Sequence, residues 1–133
     1  MSAELTTFAH ETMPFTAVLD LKVTEAGPEK VIASVGWKPE YCTGGGIIHG
    51  GYLMAVADSL GAMLAFQHLP EGAGTATIES KTNFLRAMTE GEATLTSTPI
   101  HVGRTTIVVQ TDITRADGKL VTRTTQTQAV LGP

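Results

Sequence analysis

Hydrophobic patterning changes period midway along the chain. Residues Gly51 to Gln67 are helix formers and apolar almost all round, which predicts a helix buried against a sheet rather than one lying on the surface. After it, Thr75 to Arg86, Glu92 to His101, Thr105 to Arg115 and Lys119 to Val130 are rich in Thr, Val and Ile and are predicted as four long strands. Asp117-Gly118 is a strong hairpin signal, and Val102-Gly103-Arg104 breaks the run between two other strands. Such short connections predict antiparallel neighbours. Ahead of the helix, Leu19 to Glu25 and Val31 to Trp37 read as a hairpin around the turn residues Ala26-Gly27-Pro28-Glu29. Ala3 to Thr12 reads as a short helix that Pro14 stops. Between Tyr41 and Ile48 a loop is expected, because Gly44-Gly45-Gly46 holds regular structure only at a high entropic cost; it delivers the chain to His49-Gly50-Gly51. The order strand, strand, buried helix, four strands predicts an α+β domain in which one curved antiparallel sheet wraps one central helix, over residues 1–133 as a single domain.

Composition agrees with one globular core. The 133 residues are 42% hydrophobic and 17% charged, without a like-charge run or a low-complexity tract. A net charge of -4, with the nine Lys and Arg scattered, gives no electrostatic stripe for a phosphate backbone, so no nucleic-acid partner is expected. The longest apolar run, Tyr52 to Phe66, is interrupted by Asp58 and falls short of the ~20 residues that cross a bilayer. No membrane association is expected. Met1 to His10 has no basic start followed by an apolar core, so a cytoplasmic location is expected. Cys42 is the only cysteine, which excludes an internal disulfide and any multi-cysteine zinc site. His10, His68 and His101 have no metal-ligand spacing.

Asp58 is the only acidic residue between Glu40 and Glu71, and it stands in the middle of the apolar helix. Desolvation raises the pKa of a carboxylate in such a place, making it a candidate general base or nucleophile; the other reading is a structural Asp bonded to a neighbouring loop. Gly50 and Gly51 open the helix, where free N–H groups and the positive end of the dipole suit an oxyanion and the lack of side chains lets a carbonyl approach. Gly50 and Asp58 are eight residues apart, or about 12 Å along the axis, too far to touch one carbonyl together. If both act on one thioester, the helix start and the carboxylate come from different subunits, and the protein is at least a homodimer, or a dimer of dimers.

The run Gly46-Ile47-Ile48-His49-Gly50-Gly51-Tyr52-Leu53-Met54-Ala55-Val56-Ala57-Asp58, followed by Thr77-Ile78-Glu79-Ser80-Lys81-Thr82-Asn83-Phe84-Leu85-Arg86, resembles the signature of the PaaI-like (phenylacetate-pathway type) acyl-CoA thioesterases of the hotdog fold. The resemblance implies hydrolysis of a small or medium acyl-CoA or aryl-CoA ester without a metal or redox cofactor, CoA being part of the substrate. It casts Asp58 as the carboxylate that activates water or attacks the thioester, the Gly50 N–H as the group that polarises the carbonyl, and Thr77 as the hydroxyl that places the water or the Asp. It gives His49 a role in orienting the loop or meeting the thioester, and Gly51 one in binding. Many relatives carry Asn six residues before that His; here Thr43 offers a hydroxyl in place of the amide. Ala87 stands where Pro is common. Arg86 and Arg104, near strand ends or turns, are the candidate cations for the CoA phosphates. Two alternatives accompany this reading: a hotdog dehydratase or hydratase, and a non-catalytic acyl-CoA-binding protein.

Overall fold

A computed structural model describes residues 2–132; Met1 and Pro133, the ends of the expected domain, lie outside the described residues. The elements in chain order are helices α1 (Ser2–Thr12) and α2 (Phe15–Val18), strands β1 (Lys22–Ala26) and β2 (Val31–Gly36), helix α3 (Gly50–Phe66), and strands β3 (Gly74–Phe84), β4 (Glu92–Val102), β5 (Thr106–Arg115) and β6 (Leu120–Leu131). Pro14 ends α1 and also opens α2, since a proline's missing N–H costs nothing at a helix start. That extra turn, followed by Asp20 in the left-handed region (φ 54°), postpones β1 to Lys22, whereas the strand is expected from Leu19. The triple glycine makes a tight turn within the expected loop, with Gly45 (φ 76°) and Gly46 (φ 74°) using left-handed backbone that only glycine adopts freely.

All strands join one antiparallel sheet in the order β1-β2-β4-β5-β6-β3. One expectation fails here. Despite the short connection, β3 and β4 are not neighbours: β3 lies at the sheet edge beside β6. The seven residues 85–91 reach about 23 Å when extended, more than the roughly 14 Å of three strand spacings, so the link crosses the end of the sheet. Its backbone is held on the way, the Met88 carbonyl accepting from Ile48 N–H (2.9 Å) and that of Gly91 from Trp37 N–H (2.8 Å).

The sheet curves round α3. Val56, Leu60 and Leu64 of the helix share one apolar core with Val31, Ala33 and Val35 of β2, Leu95 of β4, and Ile107, Val109 and Ile113 of β5. Toward β6 the core becomes polar, for apart from Val121 at its start the buried positions of that strand are Thr122, Thr124, Gln126 and Gln128. Helix α3 is buried against the sheet as expected, but it is not covered on all sides. Gly51, Met54, Asp58 and Phe66 are exposed and Ala55 and Ala62 half-buried, so one stripe at helical spacing faces solvent in the single chain. The reason is topological: one sheet wraps the helix from β2 to β6, and the edge strand β3 leaves the flank beyond it open.

Candidate active site

Helix α3 begins on His49, whose extended backbone (φ -62°, ψ 133°) makes it the N-cap and whose Nδ1 accepts the Gly51 N–H at 2.7 Å. Nδ1 is therefore unprotonated in this arrangement, and the ring N–H is on Nε2. A Cβ on Gly51 would lie 2.9 Å from that Nδ1, so a side chain at this position would displace the His49 cap. The cap occupies the Gly51 N–H and leaves the N–H of Gly50 with no hydrogen-bond partner among the described residues. A free, dipole-aligned donor at a helix start can stabilise a developing oxyanion. Gly50 packs against the ring of Phe84 at the end of β3, where a Cβ would be 3.0 Å from the ring. Around it Thr43, Leu53, Phe84 and Arg86 line a shallow groove.

Two turns further along the helix, Asp58 projects from the open stripe toward β3 and β6. Its Oδ1 accepts from Thr77 Oγ1 (3.3 Å) and from the side-chain amide of Gln126. Gln128 Nε2 donates to Thr77 Oγ1 at 2.8 Å, so that hydroxyl is turned to give its own proton to the carboxylate. Oδ2 accepts no hydrogen bond from any described residue. Asp58 is thus exposed and held by neutral donors, rather than buried without partners as the apolar helix pattern predicts.

Two features of the fold build this arrangement. The register of β3 against β6 slips between Thr77 and Glu79, a bulge at Ile78 that turns Thr77 toward the helix together with Ser80 and Thr82 further along. The other is Gly61, where a Cβ would stand only 1.9 Å from Gln126 Oε1. The missing side chain makes room for Gln126, which is 0% exposed, to reach Asp58. Gln126, Gln128 and Gly61 are not found by sequence reasoning. The segment Thr122 to Gln128 is polar at every position, so no hydrophobic alternation shows which residues face inward.

The other expected residues lie apart. Arg86 donates to the Leu120 carbonyl at 2.9 Å. Arg104, in the turn between β4 and β5, makes no hydrogen bond or ion pair with a described residue. The two arginines mark opposite ends of the sheet, separated by the length of β5, about 30 Å. Within one chain, therefore, Asp58 and Thr77 come together, Gly50, Thr43 and Arg86 come together, and the two groups do not meet. His49 borders a separate cleft with Tyr41 and Tyr52, whose rings stack at 4.2 Å. Burial raises the Tyr52 hydroxyl well above the usual phenol range, and it donates to the Leu19 carbonyl at 2.7 Å. Among the described residues no three His, Cys, Asp or Glu side chains gather to hold a metal ion, and no helix is long and apolar enough to cross a membrane.

One antiparallel sheet wrapped round a single long helix is the architecture of the hotdog class. The sequence model of the thioesterase superfamily matches residues 45–122, and the chain belongs to that superfamily. Among curated relatives, a candidate esterase of Saccharolobus solfataricus is 33% identical over 102 residues, 77% of this chain and 72% of that protein. A candidate esterase of Mycobacterium tuberculosis has a solved structure that superposes with a TM-score of 0.87 at 29% identity, covering 91% of this chain and 98% of the other. A hypothetical thioesterase of Streptococcus pneumoniae, solved with coenzyme A, gives 0.83 at 25% identity over 92% and 97% of the two chains. A thioesterase of Haemophilus influenzae shares the fold with a TM-score of 0.90 at 24% identity, covering 99% and 91%.

Proposed function

We propose that the protein hydrolyses a small or medium acyl-CoA or aryl-CoA thioester to the free acid and CoA, as a PaaI-like thioesterase with Asp58 as its catalytic carboxylate. The observation that carries this reading is a carboxylate oriented by Thr77 and Gln126, with one oxygen left open, on the same helix as an unpaired N–H at Gly50. The coenzyme A in the Streptococcus pneumoniae relative supports the choice of thioester. Asp58 activates a water or attacks the carbonyl carbon, Thr77 fixes the carboxylate, and the Gly50 N–H takes the charge that develops on oxygen. Thr43, beside Gly50, adds a hydroxyl to that pocket, and His49 holds the helix start in shape. Hydrolysis is redox-neutral and asks for no cofactor beyond the CoA of the substrate. Thiol release from a panel of acyl- and aryl-CoA esters tests the reading. Hydration or dehydration of an enoyl or hydroxyacyl ester, or binding without thiol release, would replace it with one of its alternatives.

The site is assembled across two copies. Edge strand β3 is 11 residues long, unpaired on one side, and carries the exposed Ile78 (63%) and Phe84 (52%) next to the open stripe of α3. Such an edge and apolar surface fit another copy of the chain. If two β3 edges pair antiparallel about a two-fold axis, the end bearing Phe84 and Gly50 in one copy lies beside the end bearing Thr77 and Asp58 in the other. That pairing also brings Arg86 of one copy toward the end of the sheet where Arg104 of the other stands, two cations for the phosphates of CoA. Sedimentation at micromolar concentration is expected to show a dimer or larger. A monomer with full thioesterase activity would overturn the shared site.

A further inference from the structure

The link from β3 to β4 passes over the ends of β6 and β5 and forms one wall of the groove beside Gly50, through Leu85, Arg86, Ala87 and Met88. These four consecutive residues are all tied down. The N–H groups of Leu85 (2.8 Å) and Arg86 (3.2 Å) donate to the Val121 carbonyl of β6, and the Ala87 carbonyl accepts Nη1 of Arg115, the last residue of β5, at 2.9 Å. One peptide further on, the buried Met88 presents its carbonyl to the Ile48 N–H, two residues ahead of Gly50. The start of α3 is thus fastened to the end of the sheet through this link.

Arg115 is itself braced. Its Nε (3.3 Å) and Nη2 (2.9 Å) donate to Oδ1 and Oδ2 of Asp117, a fork that leaves Nη1 to meet Ala87. Asp117 Oδ1 also accepts the Lys119 N–H at 3.0 Å, which fixes the carboxylate in the hairpin turn between β5 and β6. Arg115, and after it the Lys119 N–H, holds the Asp117 carboxyl below the usual carboxylate range, so the fork stays ionised through neutral pH. An exposed ion pair contributes little to stability by itself. Three directed bonds from one planar group instead define a geometry, which the point charge of a lysine cannot reproduce. Arg115 does not line the groove. We propose that Arg115 is a positioning residue for the oxyanion donor: the hairpin turn, acting through Asp117, Arg115 and the peptide from Ala87 to Met88, sets where Ile48 and hence the Gly50 N–H stand.

The inference rests on the hydrolase reading, and its test separates the two. Thiol release is measured for the CoA ester cleaved fastest in the panel and for the same acyl group on pantetheine. Arg115→Gln, which cannot make the fork, is expected to lower kcat by about tenfold with both thiols, because a displaced donor acts on the carbonyl they share. Loss of a phosphate contact would instead raise KM for the CoA ester alone. Arg115→Lys keeps the charge but not the fork, and should recover no more than about threefold of that loss. Arg123→Gln is the control, since it removes a guanidinium that is forked to Asp112 but makes no bond to the link, and kcat should stay within about twofold of wild type. Hydrogen exchange follows the same variants. The Ile48 amide should exchange about tenfold faster in Arg115→Gln, while that of Leu64, in the core part of α3, keeps its wild-type rate. Wild-type kcat in Arg115→Gln, unchanged exchange at Ile48, or faster exchange at Leu64 as well would each overturn the positioning role and leave ester cleavage by the wild type standing. Faster exchange at Ile48 alone, in a protein that cleaves no CoA ester, would keep the hold of Arg115 on the helix start and remove the hydrolase reading.

Discussion

Asp58→Asn is expected to lower kcat by about 10²-fold or more, while the melting temperature stays level or rises slightly. Asparagine preserves the volume and keeps an Oδ1 that accepts from Thr77 and Gln126. Its Nδ2 takes the place of Oδ2, an atom with no partner among the described residues, so no fold-holding bond is lost. The negative charge is lost, and with it the capacity to take a proton from water or to attack the thioester carbon. Turnover and thermal melting measured on the same preparation decide the matter. A variant that melts clearly lower but turns over at nearly the wild-type rate would make Asp58 a structural residue and end the catalytic assignment.

Gly61→Ala is expected to reduce kcat by roughly 10-fold to 100-fold although residue 61 touches no substrate, because a hydrogen bond to a charged group is worth about 1.5–3 kcal/mol. The added Cβ would sit 1.9 Å from Gln126 Oε1, 3.0 Å from its Cδ and 3.1 Å from Val109 Cγ2. Gln126 is fully buried and cannot swing into solvent, so its amide is pushed off the Asp58 carboxylate. Stability should change less than turnover, since the helix-propensity gain of alanine over glycine, up to ~1 kcal/mol, offsets part of an overpacking cost of ~1–3 kcal/mol. A double-mutant cycle with Gln126→Ala identifies the route. Once the Gln126 amide is gone, adding Gly61→Ala should change kcat by less than about twofold. Full turnover in the Gly61→Ala enzyme, or additive losses in the cycle, would mean that Gln126 does not position the carboxylate.

Much of the architecture is legible in the chain because the signals behind it are local. The change from an apolar helical run to Thr- and Val-rich segments locates α3 and the strands after it, and Asp117-Gly118 marks the turn between β5 and β6, with Gly118 at φ 85°. His49-Gly50-Gly51 and Asp58 likewise stand out as an opening and an interruption of one helix. Their spacing along its axis is a matter of helical rise alone, and it separates the free N–H of Gly50 from the carboxylate.

What lies between elements is not written in that way. Short connections suggest that β3 is the neighbour of β4, yet strand order depends on which edges pair, and β3 is carried across to β6. The apolar run predicts a helix buried against a sheet, and α3 is so buried, but which side stays open is a property of the whole sheet, which leaves the stripe through Asp58 uncovered. Gln126 and Gln128 lie in a strand segment without hydrophobic alternation, where the inward face is chosen by pairing with β5 and by the space above Gly61. Thr77 meets Asp58 only because a bulge at Ile78 slips the register there. The sequence by itself determined the elements and the chemistry placed on them, since helix and strand periods and turn residues act over a few positions. Only the tertiary structure decided which side chains orient the carboxylate and where it opens to solvent, because those contacts join residues up to 68 positions apart and depend on register, edge position and the absence of a single Cβ.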